Sequence, residues 1–478
     1  MTEYEAVIGL EVHAELKTKT KIYCGCRNSF GDEPNTNVCP VCMGFPGALP
    51  VLNARAVDLA VKTGCAMNCK INEISRQDRK NYFYPDLPKG YQISQSDIPL
   101  CSDGFIDIMT DGKISRIRIK RIHIEEDAGK LLHDEKSDST LIDFNRCGVP
   151  LVEIVTEPDL QSSAQAHAFL ETVRKILLYT GVSDCRMQEG SIRCDVNVSL
   201  RKKGSNKLGT RCEMKNVNSF SAAVRSIEYE ISRQLEIIRS GGKILRETRR
   251  WDDIRNMSFP MRSKESAADY RFFPEPDLTG IYVEKDNINR LKSEIPELPN
   301  SRLFRYVGEH GLSQADAEII TADIEKADLY DSCAALGVCS YRSIANRIIG
   351  DVSTFIRDTG RKISETKITA GMLTDLIASV EKGEISDTAS HIIFRKLAEN
   401  GGEVRKTAES LGLIQESDIE RLKLLAEKII GNNPKSAADY QNGKTNALGF
   451  LVGQCMKDSH GRANPALIRE ILEKKLTQ

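Results

Sequence analysis

The chain has few of the features that would assign a function by themselves. No stretch reaches the roughly 20 consecutive apolar residues of a membrane span, and the N-terminus offers neither an apolar signal core nor an Arg-rich, acid-poor transit segment. Together these absences lead us to expect a soluble, cytoplasmic protein with no membrane partner. Net charge is missing as well: 67 Lys and Arg against 68 Asp and Glu leave −1. The chain as a whole therefore lacks the footprint of a non-specific nucleic-acid binder, and any RNA contact must come from a local basic patch. Gly443-Lys444-Thr445 ends like a phosphate loop, yet the position where that pattern needs its first glycine holds Ala438, and no strand precedes it. There is no dinucleotide-binding glycine fingerprint and no Gly-x-Ser-x-Gly elbow for a serine nucleophile. Cysteine is not scarce. However, 14 cysteines in 478 residues do not describe a small secreted disulfide scaffold, and an intracellular setting favours free thiols or metal ligation. At this length a single core stops growing, so about two to four domains are expected.

The opening strand carries the first positive signal. Val7-Ile8-Gly9-Leu10-Glu11-Val12-His13-Ala14-Glu15-Leu16 alternates apolar and polar residues. In a strand that pattern sends Leu10, Val12, Ala14 and Leu16 into a core and gathers Glu11, His13 and Glu15 on the other face. Two carboxylates and an imidazole at that spacing suit Mg²⁺ or Mn²⁺ better than a structural zinc. A wet outer face of an antiparallel strand is the plain alternative.

Cys24-Gly25-Cys26 and Cys39-Pro40-Val41-Cys42 follow on turn-rich segments. Each pair spans a single knuckle, so Cys24, Cys26, Cys39 and Cys42 are predicted to converge on one tetrahedral zinc. Cys65 and Cys69 read instead as small residues on a helix spanning Ala54 to Cys69. The stretch from Asp78 to Gln95 mixes Arg, Lys and three tyrosines with prolines and a glycine that forbid a helix. Cations beside aromatic walls suit phosphate or carboxylate recognition.

Between Ile114 and Glu126 the apolar parity switches from Ile117 and Ile119 to Ile122 and Ile124, which predicts a bulge. Beyond it, His123, Glu125, Glu126 and Asp127 crowd the strand end. Pro150 to Val155 places Glu153 in an apolar strand, where a carboxylate needs a partner. Ile192 to Leu200 sets Arg193, Asp195, Asn197 and Ser199 on one face. Helices are predicted from a capping box at Ser162 and Gln165 to Gly181, and from Ser221 to Ser240 with Gly241 as the stop. Strands interleaved with long helices, without a βαβ rhythm, give an α+β class with an antiparallel sheet. From Ser301 helical periodicity takes over. Boundaries are placed near Pro296 and again after Asn400-Gly401-Gly402, giving domains 1–294, 295–405 and 406–478. From Asn433 onward seven Lys or Arg face four acids, a modest basic patch.

Four motifs in order, Ile8 to His13, Asp78 to Asp86, Glu125 to Lys130 and Glu189 to Asn197, make the chain closely resemble the GatB/GatE family, the B subunits of tRNA-dependent amidotransferases. Lys215 to Ser219, Asp269 to Asp277, Asn442 to Thr445 and Gly461 to Pro465 extend the likeness along the whole length, and the chain has no room for the domain inserted in the archaeal GatE branch. The resemblance implies a cradle-shaped catalytic domain, a helical domain and a small tail similar to YqeY proteins that binds tRNA. It implies a carbon–nitrogen ligase subunit of protein biosynthesis that works with GatA and GatC on tRNA(Gln), tRNA(Asn) or both. ATP would phosphorylate the side-chain carboxylate of the misacylated tRNA, and ammonia channelled from the GatA glutaminase would displace the phosphate. The family's Mg²⁺ ligands fall on Glu11, His13, Glu126 and Glu153; strand parity alone does not choose between Glu125 and Glu126. Lys80, Tyr82 and Lys89 fall along the ammonia path. The competing class is a tRNA-binding scaffold whose chemistry lies in its partners, but a platform for RNA would not concentrate carboxylates in one pocket.

Overall fold

The structure, a computed structural model, describes residues 3–134, 139–263, 270–416, 418–459 and 463–477. Asp269, Gly461 and Arg462 of the motifs above lie outside them. The chain divides into two compact units, Met1–Ser301 and Arg302–Gln478.

The first unit is built on a nine-stranded sheet: β1 Tyr4–Glu15, β2 Lys70–Ile71, β3 Cys101–Thr110, β4 Lys113–Glu126, β5 Pro150–Thr156, β6 Ile192–Lys202, β7 Cys212–Val217, β8 Glu247–Asp252 and β9 Met257–Ser263. Their spatial order is β9-β8-β7-β6-β1-β5-β4-β3-β2. The opening strand is thus the central one, antiparallel to β5 on one side and β6 on the other. Alternation is why it can sit there: Ile8, Leu10, Val12 and Ala14 are fully buried, while Glu11, His13 and Glu15 are only half-buried. Three helices cover the apolar face, α1 Ala54–Ala66, α2 Ser163–Tyr179 and α3 Phe220–Arg239, and their Leu59, Phe169, Leu170 and Ile227 share one cluster with Leu10 and Val12. The opposite face is left free to be polar.

Local signals placed these elements closely. Ser162 caps α2 by accepting from the Gln165 amide at 3.1 Å, and the Gln165 side chain accepts in return from the amide of Gln161, one residue earlier than a capping box requires. Ser219 caps α3, and Gly181 and Gly241 follow the two helix ends with positive φ. The expected bulge is present: Val155 pairs with Arg121 and Thr156 with Ile119, so Lys120 is the extra residue. All four isoleucines around it are buried.

The sheet is not wholly antiparallel. β7 and β8 run parallel, with α3 as their crossover, so the unit contains a βαβ element where no such rhythm was expected. The helix explains it: returning across the apolar face of the sheet, α3 delivers the next strand at the end where the previous one began.

The second unit is helical among its described residues. A π-helical turn, Ile348–Val352, interrupts it, and the helix Val404–Ser410 packs on Asp387–Asn400. Leu422, Ala426, Leu451, Cys455 and Leu472 then form a separate apolar cluster. No described helix is long and apolar enough to cross a membrane.

Candidate functional site

Strand register brings the polar face together. His13 stands opposite Glu153 of β5 and Arg193 of β6, and Glu153 stands opposite His123 of β4. The result is a row of four chemistry-bearing side chains across four adjacent strands, with Glu125 two residues along β4 on the same face. His13 Nε2 lies 3.5 Å from Glu153 Oε2 and 3.6 Å from Glu125 Oε1, and His123 Nε2 lies 3.0 Å from Glu153 Oε2. The ligand atoms of His13, Glu125 and Glu153 all lie within 4.8 Å of one another, close enough to share one ion.

Charge accounts for the protonation here. Burial alone would lower the His13 pKa, but Glu153 and Glu125 outweigh it and push the ring up to about 9. Burial likewise works against ionisation of Glu153, yet the two imidazoles hold its carboxyl well below the usual range. His123 Nδ1 is buried without a hydrogen-bond partner.

Two assignments change. Glu126 is not part of this cluster: alternation sends it to the opposite face from Glu125. There its carboxylate accepts from the Lys89 ammonium and, at 2.8 Å, from the Ile93 amide. Glu125 takes the place expected of Glu126. Glu11, also expected among the ligands, groups instead with Asp195 and Glu213, whose ligand atoms lie within 4.8 Å of its own. The Asn197 amide donates to Glu11 Oε1 at 3.0 Å, and Lys215 Nζ approaches Asp195 Oδ2 at 2.5 Å and Glu213 Oε1 at 3.1 Å.

The polar stretch before β3 folds as a hairpin, Asp78–Asn81 with Tyr91–Ser94, joined by Phe273–Pro274. Arg79 binds Glu275 through two nitrogens at 2.6 and 2.8 Å, which ties this motif to the distant Phe272-Phe273-Pro274-Glu275 segment. Lys80 Nζ sits over the rings of Tyr270 at 5.2 Å and Tyr82 at 5.8 Å, and its charge favours the ionised form of Glu125. Lys80 and Tyr82 thus belong to the His13 side, while Lys89 belongs to Glu126. A cleft of about 670 Å³ opens alongside, lined by Glu15, Arg193, Arg146, Asn145 and Lys130. Burial and the nearby Asp127 raise the Glu15 carboxyl to about 7 against the pull of Arg193.

The cysteines converge as the spacing predicted: the thiol sulfurs of Cys24, Cys26, Cys39 and Cys42 lie within 4.8 Å of one another, and none is in a disulfide. A tetrahedral zinc with bonds of about 2.3 Å has ligand sulfurs about 3.8 Å apart, and Cys39 and Cys42 stand at 3.9 Å. A hydrogen bond from Cys24 pushes Cys42 down to about 5, with help from the Cys39 amide and from Lys21, while burial pushes Cys26 up to about 11. The donor set fits zinc.

Sequence reasoning had noted His123, Asp195 and Asn197 without giving them roles, and it missed Glu213 and Lys215 as neighbours of Glu11. Parity selects Glu125 only once the pairing of His123 with Glu153 fixes which face His123 occupies. Nothing local announces the approach of β7.

Residues 6–289 match the family model described as the GatB/GatE catalytic domain, and residues 328–476 match the one described as the GatB domain. Among curated proteins, the B subunit of the aspartyl/glutamyl-tRNA(Asn/Gln) amidotransferase from Thermoanaerobacter sp. (strain X514) is 50% identical over 476 residues, covering 100% of both chains. Its counterpart from Caldicellulosiruptor saccharolyticus is 52% identical over 477 residues, covering 99% of each. Full-length likeness at this level, together with a polar face whose charged residues fall on the family's motifs, establishes that the chain belongs to the GatB/GatE family of amidotransferase subunits.

Proposed function

We propose that this subunit uses ATP to phosphorylate the side-chain carboxylate of Glu-tRNA(Gln), Asp-tRNA(Asn) or both, and then amidates it with ammonia from a glutaminase partner. The observation that carries the reading is the cluster of His13, Glu125 and Glu153 on the polar face of a rigid sheet, with Lys80 beside it. A free carboxylate is a poor electrophile because attack must expel oxide. Once its oxygen has taken the γ-phosphoryl group from ATP, ammonia attacks the carbonyl carbon and phosphate departs, leaving the amide and ADP.

The difficulty lies in the charge of the reactants, since ATP and the carboxylate repel. His13, Glu125 and Glu153 offer one nitrogen and two carboxylate oxygens, a set that fits Mg²⁺ or Mn²⁺, and such an ion would offset that repulsion and align the phosphoryl group. Glu126 is left out of the set because Lys89 and the Ile93 amide hold it elsewhere. Lys80 adds positive charge on the same side, and its Tyr82 and Tyr270 walls exclude water that would hydrolyse an acyl phosphate. Lys80, Tyr82 and Lys89 are assigned to the ammonia path, with GatA as the source and GatC as the third subunit. Zinc on Cys24, Cys26, Cys39 and Cys42 is structural.

The reading is tested with the chain assembled with its partner subunits, supplied with misacylated tRNA, ATP and glutamine. His13→Ala should abolish ATP-dependent amide formation while glutamine hydrolysis persists. Amide formation at the wild-type rate overturns it.

A further inference from the structure

The cysteine loop and the Lys89–Glu126 pair are neighbours in space. A cavity of about 70 Å³ has Cys24, Cys42 and Gly44 in its wall together with Lys89 and Glu126. Gly44, two residues beyond Cys42, is a point of contact: a Cβ built there would overlap Lys89 Cγ and lie 3.2 Å from both Cα and Cβ of Lys89. Those atoms belong to the backbone and to the stem of the side chain, so the lysine cannot swing clear as it could if only its far end were touched. The Gly44 φ is +67°, in the left-handed region that glycine enters without a side-chain clash.

The loop itself holds Gly44 there. Backbone hydrogen bonds of residues 39–48 stay within the knuckle: the Met43 amide donates to the Cys39 carbonyl at 3.0 Å, Gly44 to Val41 at 3.0 Å and Phe45 to Pro40 at 2.8 Å. Among the described backbone bonds, none ties this segment to the sheet or to the strand Tyr91–Ser94. Its attachment is made by side chains. Val41 packs on the main core, the fully buried Lys21 lies 3.8 Å from Cys42 Sγ, and Cys39 and Cys42 converge with Cys24 and Cys26. Four thiolates sharing one zinc would therefore fix the knuckle, and Gly44 with it. The pair it meets depends on placement: the Lys89 and Glu126 side chains are 8% and 4% exposed, and a buried ion pair is favourable only when its geometry is good. Glu126 Oε1 also accepts from the Ile93 amide at 2.8 Å, so a displaced lysine is felt at that amide.

We infer that Gly44 is a positioning residue for Lys89: the four-cysteine loop holds it against the lysine stem, so the ordering of the loop by zinc sets the Lys89–Glu126 pair. The loop thereby acts on the use of ammonia from a place off the polar face. That consequence rests on the assignment of Lys89 to the ammonia path above; the contact between Gly44 and Lys89 does not.

The test uses the full chain in its assembled complex. It reads hydrogen exchange at the Ile93 amide, zinc content, and the ratio of amide formed from glutamine to amide formed from added ammonium salt. Gly44→Ala should retain about one zinc per chain, exchange the Ile93 amide about tenfold faster and lower the ratio several-fold, with the rate from ammonium salt unchanged. Gly47→Ala is the control, because it places alanine at a φ of +82° in the same loop with nothing within 4 Å of its Cβ. It should match wild type in all three readouts. Removing zinc from wild type with a chelator should speed exchange at Ile93 in the same way, while the amides of α2 keep their protection. Should Gly44→Ala lose its zinc, the chelated wild type decides: faster exchange at Ile93 supports the coupling, and unchanged exchange overturns it. Equal effects of Gly44→Ala and Gly47→Ala would reduce the result to backbone strain and overturn the proposal, as would Ile93 exchange indifferent to Gly44→Ala. Lys89→Ala separates the two readings. If it keeps the wild-type ratio, the ammonia-path assignment fails, and exchange at Ile93 still decides whether Gly44 places the lysine.

Discussion

The cysteine cluster and the carboxylate–histidine face are two candidate metal sites built in opposite ways. Cys24, Cys26, Cys39 and Cys42 fall within 19 residues of sequence on one loop, with glycine and proline supplying the bends. The second set draws His13, Glu125 and Glu153 from three strands, the first more than 100 residues from the others, and only the register of β1, β5 and β4 brings them together. The first is a site of local spacing, and the second is a site of topology. The loop site pins a segment that has little core of its own. The sheet site gains rigidity from the core beneath it and can leave its outer face open to a substrate.

This contrast is most sharply tested by neighbouring residues on one strand. Glu125→Gln should remove a ligand and abolish ATP-dependent amidation with little change in stability, since the amide fills the same volume. Glu126→Gln should do something different: it leaves the buried Lys89 without its carboxylate, at a cost of about 3–5 kcal/mol. Denaturant melts beside amidation rates separate the two, and equal loss of activity without loss of stability in both variants would erase the distinction between the faces.

Next in size is the loop. A Cys39→Ser, Cys42→Ser double variant should lose about one zinc per chain and stability on the order of several kcal/mol. Amidation by the molecules that remain folded should continue, because no cysteine sits on the polar face. Metal analysis and thermal melts check this, and native protein that binds no zinc would refute the assignment.

These two regions also mark what the sequence could disclose. Period-two alternation placed β1, and capping serines with trailing glycines placed α2 and α3, because each signal is complete within a few residues. The four cysteines were legible for the same reason. The choice of Glu125 over Glu126 required knowing that His123, beyond the bulge at Lys120, shares the polar face with Glu153. The pairing of Asp195 and Glu213 with Glu11, and the parallel run of β7 beside β8, depend on which strands become neighbours, which no short pattern encodes. The prolines near Pro296 end one periodicity before another begins, and the compact units divide after Ser301. Past Gly402 the periodicity stays helical, and only packing shows that Val404–Ser410 leans on the helices before it.

A smaller effect should separate Lys80 and Tyr82 from the metal-binding side chains they adjoin. Lys80→Ala and Tyr82→Phe are expected to lower the use of glutamine-derived ammonia relative to added ammonium salt by several-fold, as a leaking path would. The ratio of the two amidation rates is the measurement, and a wild-type ratio in both variants would remove these residues from the ammonia path.

The smallest effect belongs to the tail. From Asn433 its excess of Lys and Arg is slight, and several of the tail's cations are engaged within it: Lys428 with Asp458, Lys444 with Asp439 and Lys474 with Glu470. Exposed pairs of this kind contribute little to stability and screen one another from a polyanion. A tail that binds tRNA would then use phosphate and shape contacts at the folded body of the molecule, not base readout, and its affinity would fall with salt. The cut that tests this follows Gln415, because the helix Val404–Ser410 packs on the helices before it, while the separate apolar cluster begins at Leu422. Without residues 416–478 the complex should show a KM for tRNA raised several-fold at low salt and more at moderate salt, with kcat, Mn²⁺ binding and glutamine hydrolysis retained. An unchanged KM at both salt concentrations would reduce the tail to a solubilising cap, and specificity for tRNA would then have to reside in the sheet unit or in the partner subunits.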